Sequence, residues 1–197
     1  IRPRLLEALA DTPVVLVHGP RQCGKTTLAQ TVQGYAYMTF DDAVQLAAAK
    51  ADPVGFVADL PDRVILDEIQ RVPELFASLK AVVDRDRRPG RFILTGSANV
   101  LLAPKLSDSL AGRMELLRLY PLAQCELAGV KSGFIAALFG RGFRAKAHGR
   151  LGAELAERIV AGGYPAALAR GAGRRRRDWY RAYLETLVQR DVRELAR

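Results

Sequence analysis

Gly19, Pro20, Arg21, Gln22, Cys23, Gly24, Lys25, Thr26 and Thr27 fit the pattern G-x-x-x-x-G-K-[ST], with one further threonine. The chemistry open to such a stretch is phosphate binding. Two glycines let the backbone curl until successive N–H groups point inward at one anion. A helix opening at Lys25 would aim its own unpaired N–H groups at the same charge. Lys25 would then neutralise β- and γ-phosphate oxygens, and Thr26 would offer its hydroxyl to Mg²⁺. An ordinary Gly-rich turn is the bland alternative. The apolar run at residues 14–17 argues against it, because a strand feeding the loop is the context this motif requires.

Forty-two residues beyond Lys25 come Val64, Ile65, Leu66, Asp67 and Glu68. A strand closing on a carboxylate at this distance from a P-loop is the Walker B arrangement. Asp67 would hold the Mg²⁺ shell, and Glu68 could orient and deprotonate the water that attacks the γ-phosphate. Without the P-loop, the same pair would read as a solvated strand end. Another apolar run, residues 92–94, leads into Thr95, Gly96, Ser97, Ala98 and Asn99. Ligands of parallel α/β sheets sit beyond the carboxyl ends of the strands, so Thr95, Ser97 or Asn99 could sense the γ-phosphate. Ser97 could equally cap a helix. Arg113 could stabilise transition-state charge on a neighbouring copy's nucleotide, which implies self-association; its plain alternative is a surface arginine near a helix end.

These residues need a scaffold, and the pattern of the chain describes one. Short apolar runs suited to buried parallel strands fall at residues 14–17, 35–40, 64–66, 92–94 and 115–119. Helical patterns fall at 1–10, 25–32, 41–50, 72–84 and 100–110. Strands alternating with helices predict an α/β domain with a mainly parallel sheet. After Gly129 the texture changes: ten of the 17 glycines lie in residues 129–173, with a modest helix expected at 150–160. From Arg174 helical periodicity returns, with Tyr180, Leu184, Val188, Val192 and Leu195 on one face, widened by Trp179, Tyr183 and Leu187. Three regions follow: a nucleotide-binding core at 1–128, a Gly-rich basic connector at 129–173 and the start of a helical domain at 174–197.

The 197 residues carry a net charge of +9, distributed unevenly. Residues 1–99 hold 12 basic and 12 acidic side chains, whereas residues 100–197 hold 18 and 9. The longest stretch free of Asp, Glu, Lys and Arg is the 15 residues 26–40, too short and too polar for a membrane helix. Two cysteines, Cys23 and Cys125, make neither a disulfide framework nor a metal cluster, and a cytoplasmic location is the simplest expectation. The first residue is Ile1 and the last, Arg197, falls inside a helical pattern, so the chain reads as a portion of a longer one.

Residues 19–29 (GPRQCGKTTLA), 64–76 (VILDEIQRVPELF), 91–99 (RFILTGSAN), 109–127 (SLAGRMELLRLYPLAQCEL), 162–168 (GGYPAAL) and 179–192 (WYRAYLETLVQRDV) together resemble the prokaryotic AAA+-type ATPases that carry domain of unknown function 4143. The resemblance implies a P-loop NTPase core: a five-stranded, mainly parallel sheet sandwiched by helices, of the AAA+/ASCE type, followed by a helical C-terminal segment. It also implies ATP as the nucleotide and hydrolysis driving a conformational change in the C-terminal domain. Gly19, Gly24, Lys25 and Thr26 take the Walker A roles, Asp67 and Glu68 the Walker B roles, Thr95 or Ser97 the sensor role, and Arg113 the arginine-finger position. Cys23 stands where relatives often carry valine or another small residue; a thiol at a helix N-terminus can become reactive, but a tolerated small side chain is the plainer reading.

Two other functions fit the same residues. One is a nucleotide-controlled module that binds a protein or DNA partner with little hydrolysis; the other is a P-loop kinase, which adjacent Asp67 and Glu68 disfavour by preferring water as acceptor. Arg174, Arg175, Arg176 and Arg177, followed by Trp179 and Tyr180, could grip nucleic-acid phosphates while rings stack on bases. Solvated or partner-facing charge explains the arginines better, and packing explains the rings better; an unknown protein or nucleic acid is the expected partner there.

Overall fold

The computed structural model describes residues 1–97, 110–131, 133–140, 143–144 and 152–195, with side chains described as far as residue 189. Asn99, residues 100–109 of the helix expected at 100–110 and most of the basic segment around His148 lie outside the described residues. The chain forms two compact units, Ile1–Tyr120 and Pro121–Arg197.

In the first unit, helix α1 (Arg2–Asp11) precedes strand β1 (Val14–His18), and helix α2 (Lys25–Gln30) follows the glycine loop. Strand β2 (Ala36–Thr39) leads to helices α3 (Ala43–Ala51) and α4 (Pro53–Ala58). Strand β3 (Val64–Asp67), a 3-10 turn (Ile69–Arg71), helix α5 (Leu75–Arg85), and strands β4 (Phe92–Gly96) and β5 (Met114–Arg118) complete it. The five strands form one sheet in the order β2-β3-β4-β1-β5, and every adjacent pair is parallel. The five-stranded parallel architecture is the expected one.

Strand alternation sorts the core onto two faces. Val14, Leu16, Val64, Leu66, Phe92 and Leu94 point to one side, against Val57 of α4 and Leu75, Phe76, Leu79 and Val83 of α5. Val15, Val17, Ile65, Ile93 and Leu117 point to the other, against Leu5, Ala8 and Leu9 of α1 and Ala29 of α2. β1, β3 and β4 are buried along their whole length, which their unbroken apolar runs require.

Helix α4 is absent from the helical patterns above because Pro53 and Gly55 interrupt them. Its start is nonetheless chemically specified. Pro53 occupies the first turn, where no N–H is needed, and the Asp52 carboxylate accepts from the Gly55 N–H at 2.9 Å. A Cβ at Gly55 would collide with that carboxylate.

In the second unit, short helices at Gln124–Leu127, Phe134–Phe139 and Pro165–Leu168 accompany longer ones at Ala153–Ala161 and Arg174–Leu195. The terminal helix packs on a face rotated from the expected one. Leu184 and Val188 are exposed, while Trp179 and Tyr183 stack at 5.1 Å between centroids and both rings contact Tyr164. The ring of Tyr164 supplies the seat, and aromatic area outweighs the aliphatic stripe. Arg176 of the same helix bonds Glu157 and the Arg170 carbonyl, and Arg174 lies 3.9 Å from Asp178. Among the described residues no helix is long and apolar enough to cross a membrane.

Candidate functional site

β1 ends at His18, and the loop to α2 starts at once. Gly19 packs so tightly that a Cβ would fall on the Leu119 carbonyl oxygen, and Gly24 (φ 101) takes the left-handed turn before the helix. Gln22 is also left-handed, at φ 59. These turns wrap Pro20, Arg21, Gln22 and Cys23 back over the start of α2. Lys25 is only 5% exposed, and its ammonium spans the loop to the Pro20 carbonyl at 2.9 Å. A phosphate would compete for that ammonium at the same place. Thr27, in the first turn of α2, completes the segment.

Cys23 lies inside the loop and donates to the Leu119 carbonyl at 3.6 Å. Burial pushes its thiol up, more than the Lys25 charge pulls it down. A buried thiol bonded to a carbonyl suits the plainer reading of Cys23, a tolerated small side chain that packs inside the loop.

Asp67, the last residue of β3, is buried and receives three hydroxyls. Oδ1 accepts from Thr26 at 2.8 Å and from Thr95, and Oδ2 accepts from Tyr37 at 2.9 Å. The sheet order explains the convergence: β3 lies between β2, which carries Tyr37, and β4, which carries Thr95. Burial, then the bond to Asp67, pushes the Tyr37 phenol up, so it stays a protonated donor. Glu68 follows in a left-handed conformation (φ 58, ψ 42), its N–H donating to Thr95 Oγ1 at 3.2 Å and its carboxylate accepting from Gln70. Ser97 is buried just beyond the end of β4.

Tyr37 and Gln70 were not among the residues selected from the sequence. The signal for Tyr37 appears only once β2 is known to border β3; Gln70 had its closeness to Glu68 as a signal. His18 packs at the strand end, paired across the ladders with Gly96 and Arg118. Burial, then the charges of Arg118 and Lys25, hold its pKa below the ordinary 6.5.

Arg113 does not join this group. It precedes β5, whose first residue pairs with Val14 at the start of β1, so it sits where the parallel strands begin and the loop sits where they end. Five strand residues separate the two edges, about 13 Å. Its guanidinium is engaged by Asp84 at 2.5 and 3.1 Å and by the Ala111 carbonyl at 3.1 Å.

A parallel five-stranded sheet with a glycine loop after β1 and an Asp-Glu pair at the end of β3 is the fold of P-loop nucleoside triphosphatases. A solved structure of that class, the Walker-type ATPase PABY2304 of Pyrococcus abyssi, aligns with a TM-score of 0.52, covering 100% of this chain and 74% of that one. At 16% identity the likeness speaks for the fold alone. The family model described as "AAA domain" matches residues 11–128, and the chain belongs to that family. Nucleotide-binding, ATPase-type chemistry is thereby placed at the level of the family. Residues 152–197 match a "Domain of unknown function (DUF8612)"; it is this domain, and not the one numbered 4143, that the C-terminal residues match. "Uncharacterized protein Rv2008c" of Mycobacterium tuberculosis and "Uncharacterized protein Mb2031c" of Mycobacterium bovis are each 35% identical over 195 residues. That alignment spans 98% of this chain and 39% of theirs.

Proposed function

We propose that the chain binds ATP with Mg²⁺ at the carboxyl edge of the sheet and hydrolyses it. The observation that carries this reading is the meeting of Thr26, Asp67 and Thr95 on one carboxylate oxygen, directly beside Glu68 and the Lys25 loop. A hydroxyl and a carboxylate brought together from separate elements fit a hard, oxygen-binding cation such as Mg²⁺. Thr26 and Asp67 would hold the ion, which when bound offsets phosphate charge. Lys25 and the N–H groups of residues 21–27 would hold the β- and γ-phosphates. Glu68 would take a proton from the attacking water as its oxygen bonds the γ-phosphorus and the bond to ADP breaks. Thr95 ties both carboxylate residues to β4, which suits the sensor role, with Ser97 close behind.

Turnover would be coupled to a change in the C-terminal unit, where the partner would bind. A finger role for Arg113 on a second copy would require its guanidinium to leave Asp84. Glu68→Gln should bind ATP within about threefold of the native affinity while turnover falls roughly a hundredfold or more. An unchanged rate overturns the role of Glu68. Native protein that binds ATP without turning it over would instead select the nucleotide-controlled binding module.

A further inference from the structure

Glu68 and Gln70 carry two features that selection for stability alone would remove. Glu68 adopts a left-handed backbone, a conformation that residues other than glycine hold at a cost. Gln70, on the turn Ile69–Arg71, has an amide with two different fates. Its Nε2 donates to Glu68 Oε2, while its Oε1 is closed off from solvent with no hydrogen-bond partner among the described residues. An ionised carboxylate only accepts, so the amide end facing Glu68 is the NH₂ and the orphan is the oxygen. A buried acceptor without a partner weakens a fold, whereas a methionine of similar length would carry no such penalty. The unpartnered oxygen offsets what the bond to Glu68 contributes to stability, so the use of the amide is in what Nε2 does.

We propose that Gln70 is a positioning residue for hydrolysis: its Nε2 fixes the Glu68 carboxylate in the orientation that activates water. The inference rests on the reading of Glu68 as the base. Glu68 is then held at both ends, its N–H by Thr95 Oγ1 and its carboxylate by Gln70. The same Thr95 hydroxyl donates to Asp67, so the base and the proposed metal ligand share one fixed point. With Oε2 committed to Gln70, Oε1 is the oxygen left to receive the proton. Holding a three-torsion side chain in its working rotamer before the substrate arrives lowers the barrier without changing the affinity for ATP.

The test compares native chain, Gln70→Met and Gln70→Glu by melting temperature, ATP affinity and steady-state turnover. Gln70→Met removes donor and orphan together. It should melt at or above the native temperature and bind ATP equally well, while kcat falls roughly tenfold to a hundredfold. Gln70→Glu, which places a second acceptor against Glu68, should show the same split between binding and turnover. A kcat for Gln70→Met equal to the native value overturns the proposal. So does a higher one, which would make Gln70 a restraint on Glu68. A lower kcat accompanied by lower melting temperature and weaker ATP binding marks a merely structural residue and also overturns it. If the native chain does not turn over ATP, or Glu68→Gln keeps the full rate, the reading of the base itself has failed and Gln70 falls with it; failure confined to the Gln70 variants leaves that reading standing.

Discussion

Asp67 accepts hydrogen bonds from Thr26, Tyr37 and Thr95, each on a different element, at the end of a buried strand. Thr26 and Asp67 were legible as a pair because the spacing of the two motifs names them. Tyr37 was not, since no rule of spacing places β2 beside β3. Partners of this kind orient a metal-binding carboxylate, and their loss typically weakens metal affinity. Tyr37→Phe should therefore raise the Mg²⁺ concentration for half-maximal turnover roughly tenfold with little change in melting temperature. An unaltered Mg²⁺ titration would show that Asp67 holds its orientation without the phenol. His18 makes a prediction about stability. Its Nδ1 is buried without a partner among the described residues, and its folded pKa lies below 6.5. Well above pH 6.5 the residue is neutral folded or unfolded and contributes nothing. As pH falls below 6.5 the unfolded chain takes up a proton that the fold refuses, so stability drops until the folded pKa is reached, by at most about 1.4 kcal/mol per pH unit. Urea unfolding at pH 7.5 and 5.5 should show this loss in the native chain and a smaller one in His18→Asn.

At the scale of elements, the strands were the easiest part to anticipate, because β1, β3 and β4 are buried on both faces and leave unbroken apolar runs. Helices proved readable where their apolar faces repeat, as in α5, and unreadable where capping does the specifying, as in α4. Asp52 is the residue that starts α4, and it accepts only the Gly55 N–H there. Asp52→Ala should cost about 1 kcal/mol by urea unfolding and leave ATP turnover unchanged. A loss far above that would mean Asp52 also secures the turn out of α3. Arg113 shows the opposite limit. Its residue type and its place after a glycine suit a finger that acts on a second copy; which end of its own strand it occupies depends on strand direction. That direction puts it at the edge away from the loop, beside Asp84 at the end of α5.

The whole molecule divides its charge and its core in opposite ways. Residues 1–99 are balanced and supply most of the buried apolar side chains; the +9 belongs to residues 100–197. Among the described residues of the second unit, Ala167 is the one fully buried hydrophobic side chain, while Phe139 is 83% and Ile159 71% exposed. Aromatic packing around Tyr164 and ion pairs such as Arg176–Glu157 hold this unit; exposed ion pairs contribute little, and a unit with few buried apolar side chains opens at a lower free energy. Two transitions should therefore appear in calorimetry: a sharp one from Ile1–Tyr120 and a shallow, cooler one from Pro121–Arg197. Mg·ATP at a hundred times its dissociation constant stabilises the state that binds it by about 2.7 kcal/mol. For a unit of this size that is a rise of roughly 10 °C, and it should be confined to the sharp transition. A single transition would mean that the two units unfold as one, equal movement of two would mean that the nucleotide stabilises both units, and movement of neither would remove the nucleotide from the glycine loop. Lys25→Ala, which deletes the ammonium from that loop, should abolish the rise while leaving the shallow transition where it was.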